Sequence, residues 1–218
     1  MNNKDIHKVI AVLKKDVIKW QIPVVGRIDQ KYKNPYLVLI SCILSLRTKD
    51  NTTEKASIRL FSLTKSPERM QKLAIEKIQK AIYPVGFYRK KAKTIKTISK
   101  ILMTDYNGTV PDEIDELLKL PGVGRKTANL VVTVAYKKQG ICVDTHVHRI
   151  VNRWGYVHTK SPFETEMALR AKLPEVYWII INDLLVTYGQ NLCKPISPNC
   201  SICKISKYCK FYKKSLTK

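Results

Sequence analysis

The sequence predicts an all-α fold, and two features of its pattern support this. Apolar residues recur at the three- and four-residue spacing of a helix almost throughout, beginning with Ile6, Val9, Ile10, Leu13, Val17 and Trp20. No long strand-like alternation competes with this spacing. The pairs Ser66-Pro67 and Ser161-Pro162 are typical helix starts, in which serine caps the helix and proline fits its first turn. Glu164 stands at the capping-box position of the second pair.

Breaks in the helical pattern suggest how the chain is divided. They fall at residues 23–26, 84–86, 107–111 and 137–140. With 218 residues, 44% of them apolar, the chain can bury a core as one large domain or as two small ones. We predict a central helical domain at residues 27–139. A second domain comprises residues 1–26 plus 140–218, so that the N-terminal helix packs into it.

The charge of the chain indicates a polyanionic partner. The excess of 40 Lys and Arg over 17 Asp and Glu gives a net charge of +23, although a generally lysine-rich proteome would have the same effect. Residues 77–100 contain eight basic residues and no acid, and no acid follows Asp183. Such blocks form either a solvated face or a groove that follows phosphates.

Nucleic acid is a better candidate for that partner than a membrane. No apolar stretch reaches the ~18 residues of a spanning helix. The N-terminus lacks the apolar core of a signal peptide. We therefore expect an intracellular protein without a membrane partner.

Residues 117–128 predict a helix, a tight turn and a second helix. Gly122 and Gly124 can adopt backbone angles closed to other residues, and they leave the amides around Val123 accessible. A turn that leads into a helix N-terminus directs unpaired N–H groups outward, which suits a DNA phosphate. The alternative is an ordinary helix–turn–helix connection with a glycine cap.

Lys126 follows this turn at the start of the second helix. The positive end of the helix dipole and the neighbouring Arg125 both disfavour the charged form of its amine, as a nucleophilic lysine requires. A solvated lysine on a helix surface is the simpler interpretation of the position taken alone.

Another helix begins within residues 143–150, after the break at Gly140. Asp144 is placed to cap it by accepting amide hydrogens. His146 and His148 stand two positions apart, roughly 200° around a helix, so they cannot easily share a metal ion. We expect His146 to support the site by packing or hydrogen bonding.

Four of the six cysteines are clustered near the C-terminus, in the order Cys193-x6-Cys200-x2-Cys203-x5-Cys209. Such a cluster in an intracellular protein indicates a metal site rather than disulfides. Structural zinc and an iron–sulfur cluster both accept four thiolates. The remaining two, Cys42 and Cys142, are predicted to be small buried residues.

From about residue 30 to Cys209 the sequence resembles the endonuclease III family, through the string 120–128 and the cysteine spacing. The resemblance implies a helix-hairpin-helix DNA glycosylase fold: two helical domains with a crevice between them, a hairpin at 117–137 and a C-terminal cluster loop at 193–209. It also implies that the lysine of the hairpin, Lys126, is the nucleophile and that Asp144 is the catalytic carboxylate. The four clustered cysteines would hold a [4Fe–4S] cluster, in a loop that carries Lys194, Lys204, Lys207 and Lys210 towards DNA.

The function implied by the resemblance is a bifunctional DNA glycosylase and abasic-site lyase of base excision repair. It would act as a monomer on duplex DNA containing damaged bases or abasic sites, and remove oxidised pyrimidines after flipping the nucleotide out. The alternatives are a glycosylase for T or U mispaired with G, a non-catalytic DNA-binding module, and a zinc-binding regulator.

The sequence departs from the family at Arg47. Many bacterial members have a glutamine there, which enters the gap left by the flipped base; the change leaves the preferred lesion open. Phe87 stands where the family places an apolar wedge, although it could also be a core residue. Asp50 matches the family and is expected to cap the helix that it begins. The predicted DNA-binding residues are Gly122, Val123, Gly124, Arg125, Arg47, Phe87 and His146.

Overall fold

Helices make up all the regular structure of residues 1–215, the part of the chain that the computed structural model describes. The all-α prediction is therefore confirmed. The contacts separate the chain into two units, which we call the hairpin unit (Val24–Lys138) and the terminal unit (Met1–Pro23 with Gln139–Lys218). The predicted boundary at residue 27 falls inside a helix, because Val24–Gly26 already belong to Val24–Tyr32. The boundary between the two units therefore lies directly after Pro23.

The hairpin unit is built around one apolar helix. Its helices are α2 (Val24–Tyr32), α3 (Pro35–Ser45), α4 (Asp50–Leu63), α5 (Pro67–Lys72), α6 (Ile75–Ile82), α7 (Tyr88–Asp105), α8 (Ile114–Leu118) and α9 (Arg125–Ala135). Every residue of α3 from Tyr36 to Leu44 is buried, as expected for a helix that is apolar all round. It packs against α2, α4, α7 and α9.

The terminal unit joins the N-terminal helix to the C-terminal half of the chain. Its α-helices are α1 (Asn3–Val17), α10 (Thr145–Trp154), α11 (Pro162–Lys172), α12 (Ile181–Asn191) and α13 (Lys210–Ser215). Two short 3₁₀ helices lie at Glu175–Tyr177 and Ser206–Tyr208. The apolar faces of α1, α10 and α12 meet in one buried cluster that includes Ile10, Trp154 and Tyr188. The N-terminal helix thus packs on α12 rather than standing alone.

The predicted helix starts are confirmed by their cap contacts. The Ser66 side chain accepts a hydrogen bond from the amide of Arg69, and the Ser161 side chain accepts one from the amide of Glu164. The carboxylate of Glu164 reaches back to the amide of Lys160, one residue before the cap. These local contacts satisfy amides that would otherwise be unpaired at a helix N-terminus.

Even the most apolar helix, α3, has only 11 residues. In the described part of the chain, no helix has both the length and the apolar character needed to cross a membrane.

Candidate active site

The hairpin turn connects α8 to α9, and its two glycines have different roles. Gly122 has a φ of +77°, which favours glycine, and a Cβ there would approach Cγ2 of Thr94 to 3.1 Å. Gly124, the N-cap of α9, has a φ of −103°, which other residues can adopt. Gly124 therefore does not use the conformational freedom that glycine allows, whereas Gly122 does. A Cβ at Gly124 would meet no atom within 4 Å, so the approach to the helix N-terminus is open.

Lys126 is the second residue of α9, directly after this turn. It is half-buried, as is Arg125, whereas the side chain of Val123 is buried at 7% exposure. Burial raises the pKa of the Cys42 thiol to about 12, and the charge of Lys126 opposes that rise. The lysine thus lies near a buried, protonated thiol of α3 and at the positive end of α9.

Asp144 is the N-cap of α10, as its position predicted. Its Oδ1 accepts hydrogen bonds from the amides of His146 at 2.8 Å and Val147 at 2.9 Å. Both cap bonds use the same carboxylate oxygen, and Oδ2 accepts neither of them. A half-buried carboxylate held in this way keeps one oxygen available for chemistry.

His146 belongs to the packing of the terminal unit. Its Nδ1 lies 3.1 Å from a terminal nitrogen of Arg149, and a methyl group at Gly189 would overlap its ring. The same Arg149 nitrogen donates to the carbonyl of Cys193 at 2.8 Å. His148 has a different neighbour, the hydroxyl of Thr165 at 2.6 Å. The first turns of α10 are therefore tied to the start of the cysteine loop.

The four clustered cysteines line one pocket, bounded by α10, α12 and the start of α13. Burial raises the pKa of Cys209, and negative charge on Cys193 and Cys203 raises it further. The pKa of Cys200 is raised in the same way. Binding to metal relieves such repulsion, because it neutralises the thiolates.

Two donors are directed at these sulfur atoms. The hydroxyl of Tyr188 lies 3.1 Å from Sγ of Cys203, and a guanidinium nitrogen of Arg153 donates to Sγ of Cys193 at 3.4 Å. Donors of this kind surround metal-bound thiolates. Within residues 1–215, no three His, Cys, Asp or Glu side chains have the arrangement that a single metal ion requires. A four-iron cluster requires a different arrangement, with one thiolate for each iron around a shared space.

The four lysines of the cysteine loop are exposed, but they are not equivalent. Lys204 pairs with the buried carboxylate of Asp16 at 3.0 Å, and the side chain of Lys210 lies against Gly155. Lys204 therefore also connects the loop to α1, in addition to any contact with DNA.

Arg47 and Phe87 lie side by side in the hairpin unit. Phe87 is 63% exposed, so it is not a core residue. Arg47 is also exposed, in the loop between α3 and α4, and its guanidinium carbon is 5.7 Å from the centre of the Phe87 ring. They border a pocket of about 420 Å³. The pocket is lined by Ile43, Leu46, Arg47, Phe87, Lys90, Lys91, Thr94 and Gly122.

Asp50 does not cap the helix that it begins. The N-cap of α4 is Lys49, and Oδ2 of Asp50 instead accepts from the amide of Val24 at 3.1 Å. The expected cap of α4 was therefore wrong, and Asp50 caps the start of α2.

The sequence analysis missed Lys91 and Thr48, which lie beneath the Arg47 loop. Lys91 is 7% exposed, and its ammonium donates to the carbonyl of Leu44 near the end of α3, to the carbonyl of Leu46 in the loop and to the hydroxyl of Thr48. The spacing could have revealed it, because Lys91 is in helical register with the buried residues Ile95, Ile98 and Leu102.

The fold and the hairpin define a class of protein, the helix-hairpin-helix base excision repair proteins. The profile of the "HhH-GPD superfamily base excision DNA repair protein" matches residues 40–175, more than half of the chain. Endonuclease III of Thermotoga maritima is 49% identical over 186 residues, which cover 85% of this chain and 87% of that protein. Endonuclease III of Bacillus subtilis is 40% identical over 180 residues, 82% of each. The chain belongs to the endonuclease III family.

Solved structures agree with this assignment. A non-covalent endonuclease III–DNA complex matches with a TM-score of 0.89 and 33% identity, covering 100% of both chains. A trapped endonuclease III–DNA covalent intermediate matches with a TM-score of 0.86 and 32% identity, covering 99% of both. The protein is thus a DNA-binding enzyme of base excision repair, a DNA glycosylase and abasic-site lyase.

Proposed function

We propose that this enzyme removes oxidised pyrimidines from duplex DNA and then cleaves the strand, with Lys126 as nucleophile and Asp144 as catalytic carboxylate. The observation that carries the proposal is the place of Lys126. It stands in the first turn of α9, directly after an open glycine turn, within the segment that matches the base excision repair superfamily.

In the first step, the neutral amine of Lys126 attacks C1′ of the damaged nucleotide, and the bond between C1′ and the base breaks with its electron pair going to the base. One amine proton passes to the departing base and the other to the ring oxygen as the sugar ring opens, which gives a Schiff base between Lys126 and C1′. Loss of a C2′ proton then expels the 3′ phosphate and nicks the strand. Positive charge develops at C1′ as the base leaves, and the carboxylate of Asp144 stabilises it.

Asp144 is suited to this role because its cap contacts occupy only Oδ1. These two amide bonds orient the carboxylate, so that Oδ2 can stabilise charge or accept a proton without loss of the cap. The amides around Gly122 and Gly124 serve a separate purpose. They bind a phosphate of the DNA backbone at the N-terminus of α9.

The residues of the terminal unit fit a [4Fe–4S] cluster held by Cys193, Cys200, Cys203 and Cys209. All four line one pocket, and Tyr188 and Arg153 are donors to two of the sulfur atoms. The cluster would supply structural and electrostatic support to the loop rather than chemistry at the sugar.

The partner we propose is duplex DNA that contains a damaged base or an abasic site, bound by a monomer inside the cell. The basic blocks of the sequence, including residues 77–100, supply contacts to phosphates. Arg47 and Phe87 approach the gap that the flipped nucleotide leaves.

A second candidate substrate is T or U mispaired with G, and Arg47 is the observation that favours it. Its exposed guanidinium offers donors alone, and guanine presents acceptors at O6 and N7. A panel of duplexes, each with thymine glycol, uracil, a T·G pair or an abasic site, separates the two candidates. Faster single-turnover release of thymine from T·G than of thymine glycol would favour the second.

Borohydride trapping tests the role of Lys126. Wild-type protein should become covalently attached to abasic DNA, and Lys126→Gln should abolish attachment while it retains DNA binding. The matched control is Lys119→Gln, because Lys119 lies in the same hairpin but pairs with Glu116. Trapping should survive in this control. Undiminished trapping by Lys126→Gln would overturn the assignment.

Two further outcomes concern the alternatives. A folded wild-type protein that binds abasic DNA but is never trapped would support a non-catalytic DNA-binding module.

Metal analysis should find about four irons for each chain, and the protein should absorb broadly near ~400 nm. One zinc and no iron, in protein purified without oxygen, would contradict the cluster and favour a zinc site.

A further inference from the structure

The two side chains proposed to enter the DNA gap stand on unusual backbone. Arg47 has a φ of 52° and Phe87 a φ of 58°, both in the left-handed region that residues with side chains seldom adopt. Such conformations persist where surrounding contacts impose them, and they are common at functional sites. The contacts beneath these two loops therefore determine where the side chains point.

Lys91 makes most of those contacts on the Arg47 loop. Its ammonium donates to the carbonyl of Leu44 at 2.8 Å, to the carbonyl of Leu46 at 2.5 Å and to the hydroxyl of Thr48 at 3.2 Å. The Leu46 carbonyl belongs to the peptide bond that precedes Arg47. The three N–H groups of the ammonium thus all bond within the short segment from Leu44 to Thr48, which contains Arg47.

Thr48 carries the same support across to the Phe87 loop. Its hydroxyl accepts from the amide of Gly86 at 3.2 Å as well as from Lys91. A Cβ at Gly86 would lie 2.8 Å from the carbonyl oxygen of Arg47, so the two loops are in close backbone contact. Lys91 itself lies in the first turn of α7, which begins directly after Phe87.

The charge on Lys91 is available for this task at neutral pH. Burial lowers its pKa to about 8, so at pH 7 the side chain is still mainly an ammonium. A buried cation without a carboxylate partner is expensive to maintain unless carbonyl dipoles surround it. Ordinary apolar residues at this position would pack the helix without that cost, which indicates a task beyond packing.

We propose that Lys91 is a positioning residue for base flipping, which holds the Arg47 and Phe87 loops together so that both side chains enter the DNA gap as one unit. This inference rests on the proposed function, in which those two side chains fill the gap. Lys91 touches neither the DNA nor the reacting atoms. Its loss should therefore impair the step in which the nucleotide leaves the stack, and should spare general DNA binding and the chemistry of Lys126.

The experiment compares Lys91→Met with Lys93→Met at pH 7. Both remove one charge from α7, but Lys93 is exposed, so only the first removes the buried contacts. The probe is a duplex with a tetrahydrofuran abasic analogue next to 2-aminopurine, whose fluorescence rises when the stack opens. Lys91→Met should slow that rise on the order of tenfold to a hundredfold, as expected when positioning groups move by about 1 Å. With enzyme in excess, so that all the DNA is bound and a weakened phosphate contact does not limit the rate, Lys93→Met should leave it within about twofold.

A second readout separates flipping from chemistry. Single-stranded abasic DNA presents no stack to open, so borohydride trapping on it should stay within about threefold of wild type in Lys91→Met. Affinity for undamaged duplex should stay within about twofold of wild type in Lys91→Met, because the buried ammonium does not reach the DNA. If Lys91→Met proves unfolded by circular dichroism, Thr48→Val replaces it, because valine keeps the shape and removes the hydroxyl that joins the loops.

Different results would contradict the positioning role of Lys91 and the proposed gap-filling role of Arg47 and Phe87. Wild-type flipping in a folded Lys91→Met or Thr48→Val, or equal slowing by Lys91→Met and Lys93→Met, would overturn the positioning role. An equal loss of trapping on single-stranded DNA would also overturn it, since the defect would then be general. If Arg47→Ala and Phe87→Ala both flip at the wild-type rate, the gap-filling role itself fails.

Discussion

An alanine at Gly86 would force apart the two loops that carry Arg47 and Phe87. The added Cβ would stand 2.8 Å from the carbonyl oxygen of Arg47 and 3.5 Å from the hydroxyl of Thr48. A backbone carbonyl cannot turn aside as a flexible side chain can, so one loop must move. Overpacking of this kind costs about 1–3 kcal/mol of unfolding free energy. For a chain of this length, that corresponds to a fall of about 2–12 °C in Tm.

The matched control is Gly124→Ala, which adds the same methyl group elsewhere in the hairpin unit. A Cβ at Gly124 would meet no atom within 4 Å, and the φ of −103° suits alanine. The loss of unfolding free energy should be below about 1 kcal/mol, because the one unfavourable change is that alanine caps a helix less well than glycine. DNA affinity should nevertheless fall, since the methyl group would stand at the phosphate site proposed for the amides of α9.

Thermal unfolding followed by circular dichroism measures both variants beside wild type, and the 2-aminopurine duplex measures flipping. Gly86→Ala should melt lower and flip more slowly, whereas Gly124→Ala should melt near wild type and bind all DNA more weakly. A Gly86→Ala protein that melts within about 1 °C of wild type and flips normally would refute the close contact on which this reasoning depends.

Further expectations follow from single contacts. Asp144→Asn should keep the cap and the stability but slow single-turnover base release by about a hundredfold to ten-thousandfold, since the amide carries no charge; a near-normal rate would reduce Asp144 to a cap. Arg47→Gln and Arg47→Ala should reduce the preference for guanine when one lesion is assayed opposite each of the four bases. Equal losses of activity opposite all four bases, with the same loss of binding to undamaged DNA, would show that Arg47 only contacts phosphates. The pKa of Lys91 is about 8 in the fold against 10.5 unfolded, so between those pH values the unfolded chain binds more protons. The unfolding free energy of wild type should therefore rise with pH relative to that of Lys91→Met, by up to about 3 kcal/mol. A difference between the two proteins that does not change with pH in urea titrations would contradict the burial of the charge. Affinity for duplex DNA should fall steeply with salt, and a flat dependence would mean that the basic residues serve another purpose.

Sequence alone was sufficient where the deciding contacts are local. Ser66 and Ser161 bond to amides three residues later, and Asp144 caps the helix that it precedes. The buried face of α1 follows directly from its helical spacing. These features depend on neighbours within one turn, which the order of residues specifies. Identification of the hairpin and the cysteine loop depended on family resemblance as well, because a glycine turn or four cysteines allow several structures.

The tertiary structure decided whatever depends on neighbours distant in the chain. Asp50 looked like a cap for α4, but its carboxylate bonds to Val24, 26 positions earlier. Phe87 could have been core or surface, and the fold leaves it exposed beside Arg47. Lys91 looked like one lysine among many in a basic block, and only packing against α3 buries its ammonium beneath three carbonyl and hydroxyl oxygens. Helical spacing shows which side of a helix is buried. The residues that this side contacts are determined by how the helices pack, and they decide whether a charged side chain is solvated, paired or buried against backbone carbonyls.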